Sequence, residues 1–243
     1  MSTRTPCAHS ARLTSGSLQV VVGSLVVACL QLAGCGGKKT PAPEVTTRVV
    51  NEPVKSGVRP NSGTTKTLKA KLKFKDAAGQ AAFSLKPQTN GAKLVDGQER
   101  ELARFQVKGS KLKIKDAQDK VLGYVNASQG KYKIKAPDGK TDLWQLEART
   151  DGGWKLEDAQ GQLVYRIKKR DYGFEIEDGA KSSLFKVKVK AGKTSLRDAA
   201  EKTVYSTRGQ VSAIAVSCLG LTAIDSLTLR SGLLTMIAIR GGG

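Results

Sequence analysis

The sequence predicts a mainly β protein: a closed antiparallel meander barrel of about 12–14 strands, built from seven hairpin repeats of about twenty residues, around a buried hydrophobic α-helix near the C-terminus. Three observations predict it. Aspartates recur at Asp76, Asp96, Asp116, Asp158, Asp178 and Asp198, at intervals of 20, 20, 42, 20 and 20 residues. Between them polar and apolar side chains alternate at period two, as in Lys111-Leu112-Lys113-Ile114-Lys115. Finally, Val211–Ile224 is the only uncharged apolar run after the N-terminal leader, and it has no polar face on a helical wheel, the mark of a helix buried on all sides.

In chain order, residues 1–34 carry the parts of a secretion signal: Arg4 and Arg12, the apolar run Leu18–Leu32, then small residues. The run is interrupted by Gly23, Ser24 and Gln31 and is too short for a permanent membrane helix. It ends Leu32-Ala33-Gly34-Cys35, which resembles the lipobox of bacterial lipoproteins. That resemblance implies cleavage before Cys35, acylation of its sulfur and a lipid anchor in the cell envelope. Gly36 rather than Asp after the cysteine points, by the same resemblance, to the outer membrane and its periplasmic face.

Residues 35–66 read as a flexible tether, with Pro41, Pro43, Pro53 and Pro60 among Gly, Thr, Ser, Lys and Val. About thirty such residues have an r.m.s. reach of roughly 30 Å.

Residues 67–243 form the domain. Two residues before each turn lies an apolar side chain (Phe74, Leu94, Ile114, Ile134, Leu156, Ile176, Leu196), and seven to nine after it an aromatic (Phe83, Phe105, Tyr124, Trp144, Tyr165, Phe185, Tyr205). Ala136-Pro137-Asp138-Gly139 supplies the turn missing from the aspartate series. Asp opens such turns by accepting from backbone N–H groups, and Gly closes them at positive φ. Glycine-rich turns at Gly91, Gly109, Gly130, Gly152-Gly153, Gly173 and Gly192 lead to the next unit. A meander this long must close to cover its edges, and a barrel this wide needs a plug. Val211–Ile224 supplies a helix of matching length; Asp225 then caps a second helix, Ser226–Ile239, expected over one barrel mouth. As a membrane span the run falls short of the twenty or so residues needed, and Asp225 and Arg230 interrupt its extension.

Units such as Gly173–Gly179 running on to Leu184–Val187 resemble the strand pairs of the tubby-like superfamily, which includes the LURP-one-related proteins and the phospholipid scramblases. The resemblance implies a closed antiparallel barrel around an apolar C-terminal helix, and contact with phospholipid. The present chain departs from that family in its lipoprotein leader and in the regularity of its repeat.

Composition bounds the function. The chain carries 41 Lys+Arg against 21 Asp+Glu, a formal +20; without Arg4 and Arg12 of the leader, 39 bases face 21 acids, or +18. This favours anionic surfaces. The single histidine, His9, lies in the leader, so the mature part lacks the commonest general base and metal ligand. Cys7 and Cys29 also lie there, and Cys218 is left without a partner for a disulfide or thiol–metal site. No G-x-S-x-G, Walker A, H-E-x-x-H or C-x-x-C motif occurs. The expectation is a non-catalytic protein with no metal and no cofactor, and the export signal argues against nucleic acid as partner.

Repeated aspartates suit turn chemistry better than a calcium array, since each turn offers too few carboxylates. The aromatics, in register with the apolar alternation, suit a core better than a stacking surface. The strand lysines are candidates for anionic lipid contact: Lys71, Lys73, Lys75, Lys111, Lys113, Lys115, Lys131, Lys133, Lys135, Lys186, Lys188 and Lys190. Their alternative role is a solvated outer face. The functional expectation is a basic barrel contacting anionic phospholipid or lipopolysaccharide; the alternative is a structural envelope protein with no lipid ligand beyond its anchor, and an enzyme comes third.

Overall fold

The computed structural model describes residues 67–241. The lipobox Leu32, Ala33, Gly34, the acylation site Cys35 and the tether lie outside the described residues. The first strands are β1 (Leu72–Lys75), β2 (Ala81–Gln88), β3 (Gly91–Asp96), β4 (Glu101–Lys108) and β5 (Lys111–Asp116). Next come β6 (Val121–Ser128), β7 (Lys131–Lys135), β8 (Asp142–Ala148), β9 (Trp154–Asp158) and β10 (Leu163–Arg170). The last are β11 (Gly173–Asp178), β12 (Ser183–Lys190), β13 (Lys193–Asp198) and β14 (Thr203–Thr207). Each pairs antiparallel with its neighbour in sequence, and β1 pairs with β14, so fourteen strands form one closed barrel.

The alternation sets which way each side chain points. In β5, Leu112 and Ile114 are fully buried while Lys111, Lys113 and Lys115 face outward. Apolar side chains fill the lumen and charged ones cover the outside, the reverse of a barrel built to sit in lipid. No helix of the described residues is long and apolar enough to cross a membrane.

Because the chain is an uninterrupted meander, its turns sort into two sets at opposite ends. At one end, the aspartate end, six of the seven hairpins close the same way, the turn between β7 and β8 being one residue longer. Asp76 Oδ1 accepts from Gln80 N–H at 2.9 Å and its carbonyl from Gly79 N–H at 3.1 Å, and Asp96, Asp116, Asp158, Asp178 and Asp198 repeat both bonds. The fourth turn residue sits at positive φ, and glycine is not required there: Glu99, Asp119, Lys181 and Glu201 hold φ between 62° and 66°. The other end, the glycine end, carries the connections around Gly109, Gly130 and Gly192.

The plug differs from the expectation over Val211–Ile224. Only Ala213–Ser217 is α-helical (α1), followed by a 3-10 turn at Cys218–Gly220. Leu221, at φ −80° and ψ 66°, then makes an inverse γ-turn, with Thr222 N–H donating to Gly220 C=O at 2.9 Å. The barrel wall leaves no room for a side chain at the break: a Cβ on Gly220 would lie 2.7 Å from Ile176 Cδ1 and 3.1 Å from Leu196 Cδ1. Tyr165 ties this turn to the wall, its hydroxyl accepting from Ala223 N–H at 3.1 Å.

The second helix, α2 (Leu227–Arg240), does not merely cover a mouth. Gly232, Leu233, Leu234, Met236 and Ile237 are buried, and the helix packs against β3–β7 while α1 packs against β11–β13. The two helices share the lumen. Their apolar surfaces point to opposite walls, which is why a wheel for either alone overstates what it does. The N-cap is Ser226, whose hydroxyl accepts from Leu229 N–H at 3.3 Å, rather than Asp225.

Six of the seven repeat aromatics keep the inward parity of the apolar alternation; Tyr124 does not. Gly123 takes the lumen position beside Ile114, where a Cβ would meet Leu229 Cδ2 of α2 at 3.2 Å, and Tyr124 lies outside under the ammonium of Lys111, 4.0 Å from its ring centre.

Candidate functional site

All twelve strand lysines project from the outer face, in two groups. Those of β5 and β7 lie on a wall rich in carboxylates. Lys115 reaches Asp119 at 3.4 Å, Lys131 reaches Glu147 at 3.3 Å, and Lys133 and Lys135 share Asp142, the first at 2.6 Å. Lys113, like Lys111, lies near the Tyr124 ring. Four of these six lysines are thus paired with carboxylates, as on a solvated outer face, while Lys111 and Lys113 have no carboxylate within ion-pair distance among the described residues.

The lysines of β1 and β12 have different surroundings. Barrel closure places β13 and β14 between them, and the outward positions there are basic or small and polar: Lys193, Ser195, Arg197, Ser206 and Arg208. Register aligns Lys188, Ser195, Ser206 and Lys75 across the four strands. The serines, 6% and 8% exposed, form a low floor between taller cationic walls. Two recesses result. One, of about 650 Å³, is lined by Lys71, Lys73, Lys75, Ser206 and Arg208 among others; the second, of about 400 Å³, by Tyr172, Lys188, Lys190, Ser195 and Arg197. Lys193 and Arg208 line both.

The carboxylates near this seam are few and engaged. Glu201 is shared by Lys186 at 2.8 Å and Lys188 at 2.7 Å, and those two ammonium groups hold its carboxyl down to about 2. Glu99 is held equally low by Lys71, at 2.8 Å, and by Lys86. Asp76 is committed to its turn. Among the described residues Lys73, Lys75, Lys190, Lys193 and Arg208 have no carboxylate within ion-pair distance. The seam is therefore a groove with several unpaired bases over a serine floor, on which the Ser195 hydroxyl donates to the Lys188 carbonyl at 3.4 Å. Such a surface offers several N–H donors to phosphate or carboxylate oxygens. No group of three or more His, Cys, Asp or Glu among the described residues is placed to hold a metal. Cys218 is fully buried, and desolvation pushes its thiol far up, so it is chemically quiet.

Lys71, Lys73, Lys75, Lys188 and Lys190 are thus brought together, whereas Lys111, Lys113, Lys115, Lys131, Lys133 and Lys135 are not part of the groove. Lys186 belongs to it only through Glu201. Lys193, Arg197 and Arg208 were not among the sequence candidates. Lys193 begins its strand just as Lys111 and Lys131 do, a signal present in the alternation, while Arg208 follows β14 and is placed only by closure onto β1.

No protein-family model and no curated protein matches the chain. Among solved structures it is similar to an Arabidopsis thaliana protein known from X-ray crystallography, at 9% identity and a TM-score of 0.34, over 66% of this chain and 93% of that one. It is also similar to an alternansucrase in complex with isomaltononaose, at 16% identity and a TM-score of 0.16, over 51% of this chain and 12% of that one.

Proposed function

We propose that the chain is a non-catalytic envelope lipoprotein, anchored by an acyl group on Cys35 and placed at the outer membrane facing the periplasm, whose barrel contacts anionic lipid, phospholipid or lipopolysaccharide, through the cationic seam. The observation that carries the contact is the uneven distribution of charge: four of the six lysines on β5 and β7 pair with Asp119, Asp142 or Glu147, whereas Lys73, Lys75, Lys190, Lys193 and Arg208 beside the β14–β1 closure have no such partner among the described residues. A purely structural envelope protein needs only an even spread of charge for solubility. Clustered ammonium groups over a floor of hydroxyls suit a surface of phosphate-bearing headgroups.

The test is co-sedimentation of the chain from Gly36 onward with neutral and with anionic phospholipid vesicles. Recovery with anionic vesicles alone supports the reading, and replacing Lys73, Lys190 and Arg208 together by Gln should reduce it severalfold. Equal recovery with both vesicle types would leave the structural role in its place.

A further inference from the structure

We propose that the domain rests on the bilayer end-on, with the glycine end of the barrel against anionic headgroups and the aspartate end facing away. The inference rests on the anchored, headgroup-contacting reading above and adds to it an orientation and a contact face.

Three features converge on that end. The first is connectivity. β1 runs from Leu72 toward the Asp76 turn, so the chain reaches the barrel at the glycine end. The 31 residues between Cys35 and Thr67 precede this end in the sequence. Read from its composition as a flexible tether, a stretch of that length has a reach of roughly 30 Å, too short to let the domain wander far from the surface that holds it. An anchor at Cys35 delivers the glycine end first.

The second is polarity of charge along the barrel axis. Of the nineteen Asp and Glu between residues 67 and 241, fifteen lie in the aspartate turns, within two residues of them, or at Asp225 in the loop across the same mouth. The other four are Glu147, Asp151, Asp171 and Glu175, and three are met by a base: Lys131 and Lys155 for Glu147, Arg149 for Asp151 and Arg170 for Glu175; Asp171 is exposed and has no ion pair among the described residues. Beyond these, the glycine end carries exposed bases with no carboxylate partner among the described residues, including Lys69, Lys108, Lys111, Lys169, Lys190 and Arg208. At the aspartate end the exposed bases Lys120, Lys140, Lys181 and Lys202 each share a turn with one or two carboxylates. The domain is an electric dipole whose positive pole is the tethered end, and a negative surface orients it that way.

The third is shape. The seam groove runs the length of the wall from the Asp76 turn to Lys193 and Arg208 at the glycine end, and Val189, 50% exposed between Lys188 and Lys190, projects at that rim. A recess of about 400 Å³ with an apolar lining that includes Trp154, Phe174 and Ile214 opens there too, edged by Arg149 and Lys169. An apolar tip ringed by bases is what an interfacial contact uses, with the charges at the headgroups and the apolar atoms just below them. The occupant this face fits is a bilayer surface rich in anionic phospholipid.

The experiment compares two triple charge reversals in the chain from Gly36 onward, whose core runs from Leu68 to Ile239 inside a closed barrel and so does not depend on the leader. Lys108→Glu, Lys169→Glu and Lys190→Glu alter the glycine end; Lys120→Glu, Lys140→Glu and Lys181→Glu alter the aspartate end by the same net charge. All six side chains are exposed and outside every ion pair of the described residues, and near-UV dichroism verifies that each variant is folded. With each base near the surface contributing roughly fivefold, partitioning onto anionic phosphatidylglycerol vesicles should fall by on the order of 100-fold for the glycine-end triple and by less than about threefold for the other. Equal losses would mean that net charge alone acts, and a larger loss for the aspartate-end triple would mean the opposite orientation; either overturns the proposal. If the unaltered chain itself fails to bind anionic vesicles, the headgroup reading fails and the orientation with it, a result distinct from the other two.

Discussion

Lys75 and Ser206 are the one aligned pair between the first and last strands, whereas β12 and β13 align at six positions from Phe185–Asp198 to Lys190–Lys193. Closure of the barrel is therefore its least extensively paired joint, and the cationic groove runs along it. We expect the amides of β1 and β14 to exchange through local opening before those of β12 and β13, with opening free energies lower by about 1–2 kcal/mol or more. Hydrogen exchange resolved by residue checks this; uniform protection around the barrel would contradict it.

The turn at Lys181 provides a test of the hairpin chemistry. Lys181 sits at φ 66°, a conformation that is costly for a side chain by about 1–2 kcal/mol and free for glycine. Part of the gain on Lys181→Gly is lost to the greater freedom of the unfolded chain, about 0.5–1 kcal/mol. A net stabilisation of about 0.5 kcal/mol, or a rise in Tm of about 1–2 °C, is expected in thermal melts. Destabilisation would mean that the turn is held by something other than its backbone.

The pH dependence follows from Glu99 and Glu201, each held down to about 2 from an ordinary 4.5 by two lysines. A folded pKa below the unfolded one gives stability that is present above about 4.5 and lost as pH falls through about 2. Stability should thus be insensitive to these pairs from pH 7 to 5 and decline below. Carboxyl NMR titration should place both midpoints near 2; midpoints near 4.5 would show that Lys71, Lys86, Lys186 and Lys188 do not hold these carboxylates in solution.

The anchor is tested in cells. Cys35→Ser removes the sulfur that the lipobox resemblance marks for acylation, and the variant should leave the membrane fraction for the soluble one. Retention equal to that of the unaltered chain would contradict the anchor.

Much of the architecture was legible because the meander is periodic. Asp76 to Asp198 marked the hairpins, and the alternation around Leu112 and Ile114 marked the inner face. The exception at Tyr124 was also present in the spacing. Phe83 follows its aspartate by seven residues and Phe105 by nine, the same parity, whereas Tyr124 follows by eight. Trp144 escapes that rule because its turn is one residue longer, Ala136 N–H reaching Thr141 C=O, and Leu146 beside it keeps the inward phase. The close packing of Gly220 against the wall was not legible, since it depends on Ile176 and Leu196 on distant strands. The groove was half legible. Alternation told which lysines face outward, but only the closure of β14 onto β1 decides that Arg208 joins Lys73, and only cross-strand pairing decides that Asp142 neutralises Lys133 and Lys135.

The central claim is that electrostatic attraction holds this barrel to an anionic bilayer, and a salt series tests it most directly. The chain from Gly36 onward is partitioned onto vesicles with about 30 mol% anionic phospholipid while salt is raised from roughly 0.05 to 0.5 M, shortening the screening length from about 14 Å to about 4 Å. The account predicts strong recovery at low salt that falls steeply as salt rises, with little recovery on neutral vesicles at any point. Recovery that is unchanged across the series, or equal on neutral vesicles, would contradict it.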